Sequence, residues 1–199
     1  MRVCIFGDSI IWGAFLPFRG AWSNLLRNHL ENIDNKFAVY DLGIDSDTSR
    51  DVLNRFEAEA TARQPEILIF AVGVNDSANR EPGHKNLVSL DSFRKNIEQL
   101  IEKGKTFTEK ILFVGLAKGD DSLTQPLPRS TTGKSYSKED VKKYNEVIRE
   151  VCGSRDVKFV DIYNKLEDKD FDDGLHPNLE GHKKIFELVK EGLEEMLNP

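Results

Sequence analysis

Strand-like and helix-like stretches alternate along this 199-residue chain, and that alternation limits how it can fold more than any other feature. Five short apolar runs are rich in Val, Ile and Phe: Val3 to Phe6, Phe37 to Leu42, Ile67 to Val72, Ile111 to Leu116 and Val157 to Ile162. Continuous apolar runs of this length suit strands covered on both faces. Between them apolar residues recur three and four positions apart, as in Trp22, Leu25, Leu26 and Leu30, or Phe93, Ile97, Leu100 and Ile101. Each such stripe is one buried helix face. Further stripes run through Val52, Leu53, Phe56 and Ala60, through Val141, Tyr144, Ile148 and Val151, and through Ile185, Leu188, Val189, Leu193 and Met196. The alternation predicts the α/β class, a five-stranded parallel sheet with helices on both faces. No repeat, linker or low-complexity tract divides the chain, so one domain over residues 1–199 is expected. The longest irregular stretch is 117–136, which holds Gly119, Pro126, Pro128 and Gly133. A loop of that length is either a wall of a site or a surface excursion.

Four polar islands follow the apolar runs: Gly7-Asp8-Ser9, Ser46-Asp47-Thr48, Gly73-Val74-Asn75-Asp76 and Asp173-Gly174-Leu175-His176-Pro177-Asn178. Ligands of open parallel sheets bind beyond the carboxyl ends of the strands, so these islands are expected to converge on one edge. Only the last is set back from its strand, by a loop of ten residues, 163–172. Together they hold what ester cleavage needs. Ser9 would be a nucleophile, inert until a base takes its proton. His176 would be that base, and Asp173, three positions earlier, the carboxylate that orients it. The Asn75 amide and the backbone N–H groups of Ser9 and Ser46 would face developing negative charge. Each island also has a plainer reading. Asp8 and Ser9, or Ser46 to Thr48, would serve as helix caps. Asn75 and Asp76 suit a turn. Asp173 and His176 would be loop residues before a helix that starts at a proline.

In combination the four islands resemble the SGNH hydrolases, also called the GDSL esterase/lipase family. The matching residues are Gly7-Asp8-Ser9-Ile10 with Gly13, Asp41-Leu42-Gly43-Ile44 with Asp47-Thr48-Ser49, Gly73-Val74-Asn75-Asp76, and Asp173 to Asn178. The resemblance implies a three-layer α/β/α sandwich like flavodoxin's and a triad of Ser9, Asp173 and His176. It also implies an oxyanion hole from Ser9, Ser46 and Asn75, an acyl-enzyme intermediate, and no metal or organic cofactor. The implied substrates are small-molecule carboxylic esters with short-chain acyl, carbohydrate or lysophospholipid groups. Ser46 departs from the family, which usually has glycine there. A left-handed backbone at this position would strain a serine. Ile11-Trp12 also departs, and Trp12 reads either as core packing or as a wall of the acyl pocket. Acyl transfer to an alcohol, a catalytically silent binding module, and a flavin- or nucleotide-binding protein of the same fold are the rival readings.

Composition narrows the partners. The formal charge is −6 and the pI about 5.3, with no basic stripe for nucleic acid. No apolar run is long enough for a bilayer, and strand-like sequence starts at Arg2, which predicts a cytoplasmic protein without membrane insertion. Cys4 and Cys152 lack metal-ligand spacing and read as buried free thiols, which suits a reducing compartment. No cluster has metal spacing, and neither Gly-x-Gly-x-x-Gly nor a Walker motif is present. His84 reads as a surface residue, His182 as a helix-face residue and His29 as partly buried packing.

Overall fold

The computed structural model describes residues 1–17, 20–80, 85–128 and 130–198. His84, expected at the surface, lies outside those residues, as does Arg129 of the 117–136 stretch. Five parallel strands form the sheet: β1 (Arg2–Gly7), β2 (Ala38–Gly43), β3 (Ile67–Ala71), β4 (Ile111–Val114) and β5 (Lys158–Val160), in the order β2-β1-β3-β4-β5. The helices are α1 (Ser9–Trp12), α2 (Trp22–Ile33), α3 (Ser49–Arg63), α4 (Leu90–Lys105), α5 (Asp121–Thr124), α6 (Lys138–Ser154) and α7 (Leu179–Leu197). This is the expected α/β/α sandwich with flavodoxin-like strand order.

The period of two along each strand sorts side chains to opposite faces. Val3 and Ile5 of β1 and Ile67 and Ile69 of β3 pack with Trp22 and Leu26 of α2 and Ile185 and Val189 of α7. Cys4, Phe6, Leu68 and Phe70 face the other way, toward α3, α4 and α6. There Phe6 stacks on Phe70 at 5.8 Å and Phe70 on Phe113 at 4.9 Å. Each ring buried in this way contributes about 2–3 kcal/mol. Both cysteines lie wholly buried, and burial pushes their thiols up to about 11 and about 12, so neither is a reactive nucleophile.

β3 stops one residue short of its apolar run, and β4 and β5 fall further short of theirs. β4 ends at Val114 rather than Leu116 because the Leu116 N–H donates to Asn145 Oδ1 (2.8 Å) instead of continuing the ladder. β5 is confined to Lys158–Val160. The strand order reverses direction at β1, so β1 and β3 diverge to either side of their first connections and leave a crevice at their carboxyl ends. Ser9 follows β1 and Asn75 follows β3 at that crevice.

Candidate active site

Close packing at the end of β1 turns the chain. A Cβ on Gly7 would lie 2.0 Å from the Ala71 carbonyl oxygen, and one on Gly43 2.5 Å from the Trp12 nitrogen. Glycine at both positions lets the short α1 tuck against the strand ends. Asp8 caps it, accepting the Ile10 N–H at 3.0 Å, so the capping reading holds for Asp8. Ser9 has a different partner. Its Oγ lies 3.2 Å from His176 Nε2, across 167 positions of sequence.

His176 sits on a turn tied down from three sides. Its carbonyl accepts the Asp172 N–H (2.9 Å), Gly174 O accepts the Asp120 N–H (2.7 Å), and Asn178 caps α7 through the Glu180 and Gly181 N–H groups. Asp173 Oδ2 meets His176 Nδ1 at 2.8 Å, while Asp173 Oδ1 accepts the His176 and Leu175 N–H groups at 2.8 and 3.1 Å. Burial works to raise the Asp173 carboxyl, but these hydrogen bonds and the neighbouring imidazole hold it below its ordinary value. A carboxylate only accepts, so Nδ1 carries the imidazole hydrogen and the Nε2 lone pair faces Ser9.

Asn75 occupies the turn after β3. Its Nδ2 donates to the Asp47 carbonyl at 3.1 Å, and its Oδ1 accepts from Lys134 Nζ (3.1 Å) and Tyr136 Oη (3.0 Å). Lys134 has donors only, so the amide cannot flip without opposing an N–H₂ group to an ammonium. One Nδ2 hydrogen remains for a ligand. Ser46 has φ +66°, the left-handed backbone that favours glycine, and among the described residues its N–H has no protein acceptor. The cap of α3 is Thr48, not Ser46. Arg55 of α3 braces this edge: it donates to Asp47 Oδ2 (2.7 Å), to the Leu42 carbonyl (2.7 Å) and to the Gly7 carbonyl (3.1 Å).

These groups open onto one cleft of about 290 Å3, lined by Ser9, Ser46, Asn75 and His176 and walled by Phe15 and Tyr136. The later part of the 117–136 segment, through Leu127, Ser130, Thr132, Lys134 and Tyr136, therefore walls the cleft, and Ser135 is bridged antiparallel to Asn79. Phe15, itself at φ +65°, sets its ring edge-on to His176 with centroids 5.0 Å apart. A bulky residue in that region stores strain, as residues at functional sites do. Trp12 corrects the packing reading. It is 60% exposed and lines a neighbouring cleft, because it is the last residue of α1, before the Gly13 cap, and Ile11 takes the inward position. His182 lies on a face of α7, as expected, and that face is buried. It is 1% exposed, its Nδ1 accepts the Trp22 N–H at 3.1 Å, and burial pushes its imidazole down to about 4. Phe15, Arg55, Lys134 and Tyr136 carry no local sequence signal that marks them for this edge.

Among the described residues no three His, Cys, Asp or Glu side chains are grouped to hold a metal ion, and no helix is long and apolar enough to cross a membrane.

The model of the GDSL-like lipase/acylhydrolase family matches residues 5–184. The GDSL esterase/lipase WDL1 of Oryza sativa subsp. japonica is 27% identical over 208 aligned positions, covering 96% of this chain and 76% of the relative. The psychrotrophic esterase EstA from Pseudoalteromonas sp., solved in a form inhibited by monoethylphosphonate, superposes with a TM-score of 0.77 at 16% identity, covering 100% of this chain and 99% of that one. The lipase/acylhydrolase from Enterococcus faecalis superposes with a TM-score of 0.76 at 21% identity, covering 98% and 96%. At these identities the two structures show a shared fold.

Proposed function

The chain belongs to the GDSL-like lipase/acylhydrolase family and is a carboxylic ester hydrolase, and from that premise we propose that Ser9, His176 and Asp173 carry its chemistry. The observation that supports this most is the unbroken relay from Ser9 Oγ through His176 Nε2 (3.2 Å) and Nδ1 to Asp173 Oδ2 (2.8 Å). In this reading His176 Nε2 takes the Ser9 proton as Oγ bonds to the ester carbonyl carbon. Asp173 stabilises the imidazolium that results. The Asn75 amide and the N–H groups of Ser46 and Ser9 receive the oxyanion; the first N–H groups of a helix have no intrahelical acceptor. The carbon–oxygen bond to the alcohol then breaks, and the alcohol departs with the proton from Nε2. Water repeats the sequence, giving its proton to Nε2 as it adds to the acyl-Ser9 carbonyl, and the Ser9 oxygen leaves with that proton.

The cleft favours the short-chain and polar members of the substrate set, since Ser130, Thr131 and Thr132 join its lining. We take residues 1–199 as one catalytic domain. Its two unpaired buried thiols suit the cytoplasm.

The test is Ser9→Ala with p-nitrophenyl acetate. A fall in turnover of roughly 10⁶-fold is expected, the scale seen when a triad hydrolase loses its nucleophile. A fluorophosphonate should label the parent protein at Ser9 and leave the variant unlabelled. Near-native turnover in Ser9→Ala would overturn the assignment.

A further inference from the structure

Two cations line the cleft and have no step in the mechanism above: Arg80 and Lys134. They come from different segments, brought together by the Asn79–Ser135 bridge beside them. Neither lies within 4.0 Å of a carboxylate among the described residues. Lys134 is half-buried, and its hydrogen-bond partner is the neutral Asn75 Oδ1 at 3.1 Å. An ammonium has three donors, so most of its capacity is unused. Removing it from water without a counter-charge is unfavourable, and burial lowers its proton affinity accordingly. Asp45 on the lining, with Asp8 and Asp51 behind it, offsets this in part, each from beyond ion-pair distance. The chain as a whole carries a formal charge of −6, so two cations beside the nucleophile run against its general field.

We propose that the cleft selects esters that carry a carboxylate, with Arg80 and Lys134 as the residues that recognise it. The proposal rests on the Ser9 reading, because it places the ester bond between Ser9 and Asn75 while the charged substituent lies against the two cations. A carboxylate matches the planar fork of Arg80 and supplies the counter-charge that Lys134 lacks. Ser130, Thr131 and Thr132 add hydroxyl donors on the same wall. The substrates this describes are half-esters of dicarboxylic acids and acyl esters of hydroxy acids.

Two matched pairs test it at low salt. p-Nitrophenyl hemisuccinate against p-nitrophenyl butyrate varies charge on the acyl side, and 4-acetoxybenzoate against 4-acetoxybenzamide varies it on the alcohol side. In at least one pair, kcat/KM is expected to be about tenfold higher for the anion, an advantage that shrinks in 0.5 M NaCl. In Arg80→Gln the anion-to-neutral ratio should fall toward unity, and Lys134→Gln should lower the same ratio whatever it does to turnover of the neutral ester. Glutarate should inhibit competitively, and glutaramide should not. If the parent enzyme hydrolyses the neutral esters and shows no anion preference in either pair, the proposal is overturned while the Ser9 reading stands. If turnover of both members survives Ser9→Ala, that reading falls and the proposal falls with it.

Discussion

Tyr136 donates its hydroxyl to Asn75 Oδ1 at 3.0 Å, joining residues 61 positions apart. Burial raises the phenol above its ordinary value, so it stays a donor across the working pH range. The bond fixes which end of the Asn75 amide points into the cleft. Tyr136 is thus a positioning residue. Deleting an oxyanion donor outright costs about 10²- to 10³-fold in turnover. Asn75→Ala should show that loss. Tyr136→Phe leaves Lys134 to hold the amide and should cost about tenfold, a fraction of that effect. The loss should fall on kcat with KM little changed, because orientation matters most as charge develops. Steady-state kinetics on p-nitrophenyl acetate separate the two, and a change in KM alone would count against this role.

Ser46 carries a left-handed φ of +66° on the lining of the cleft, and among the described residues its N–H has no protein acceptor. A non-glycine residue there costs about 1–2 kcal/mol, and glycine returns about 0.5–1 kcal/mol of that through its freer unfolded chain. Ser46→Gly should therefore raise stability by about 0.5–1 kcal/mol and keep turnover near the parent value. Ser46→Val should destabilise and slow the enzyme together. Thermal unfolding and esterase assays on the pair check both halves. Loss of activity in the glycine variant would show that the serine side chain has a role of its own.

The residues that the sequence makes legible are those whose chemistry is announced by a local pattern at a strand end. Ser9 after Gly7, and Asp173 three positions before His176, need only the topology of a parallel sheet to bring them to one edge. The fold is legible for the same reason, since Val3, Ile5, Ile67 and Ile69 declare one face and Phe6 and Phe70 the other. Lys134 and Tyr136 are hidden because a loop delivers them, and a remote bridge to Asn79 fixes its path. Trp12 misleads because its apolar character suggests the core, whereas on the four-residue α1 the buried positions are those of Ser9 and Ile11. The run through Leu116 overstates β4 because Asn145, on α6, takes the N–H that a longer ladder would use.

Arg55 is another residue with no local signal, and it joins three parts of the site edge. Its guanidinium satisfies the Gly7 and Leu42 carbonyls and the Asp47 carboxylate while only 16% exposed. Arg55→Leu leaves a mostly buried carboxylate without its cation, while the Gly7 carbonyl keeps only the Ile44 N–H. Breaking such a pair costs about 3–5 kcal/mol. Chemical denaturation should show a loss of that order, with reduced turnover because Asp47 also supplies the carbonyl that holds Asn75. Arg55→Lys should recover little, since an ammonium cannot reach three acceptors in one plane. Parent-like stability in Arg55→Leu would mean that the edge holds without this brace.

Asp8 predicts a pH-dependent stability of unusual sign. Complete burial pushes its carboxyl up to about 7, against the opposing effects of the Ile10 N–H and the nearby His176. The folded state therefore holds a proton that the unfolded chain, with an Asp pKa of about 3.9, releases. For a group raised on folding, the stabilising contribution is full below the unfolded value and is lost as pH climbs through about 7. Asp8→Asn keeps an acceptor for the Ile10 N–H and removes the ionisation. Above pH 7 the variant should be the more stable protein by a few kcal/mol, at most about 4, and the gap should close as pH falls toward 4. His182 does not enter the comparison, because its own loss of stability below pH 6.5, from an imidazole held down to about 4, is common to both proteins. Denaturation midpoints of the pair from pH 4 to 9 decide the matter: a constant gap would mean that Asp8 does not titrate on unfolding, and a gap that widens toward acid would reverse the assigned sign.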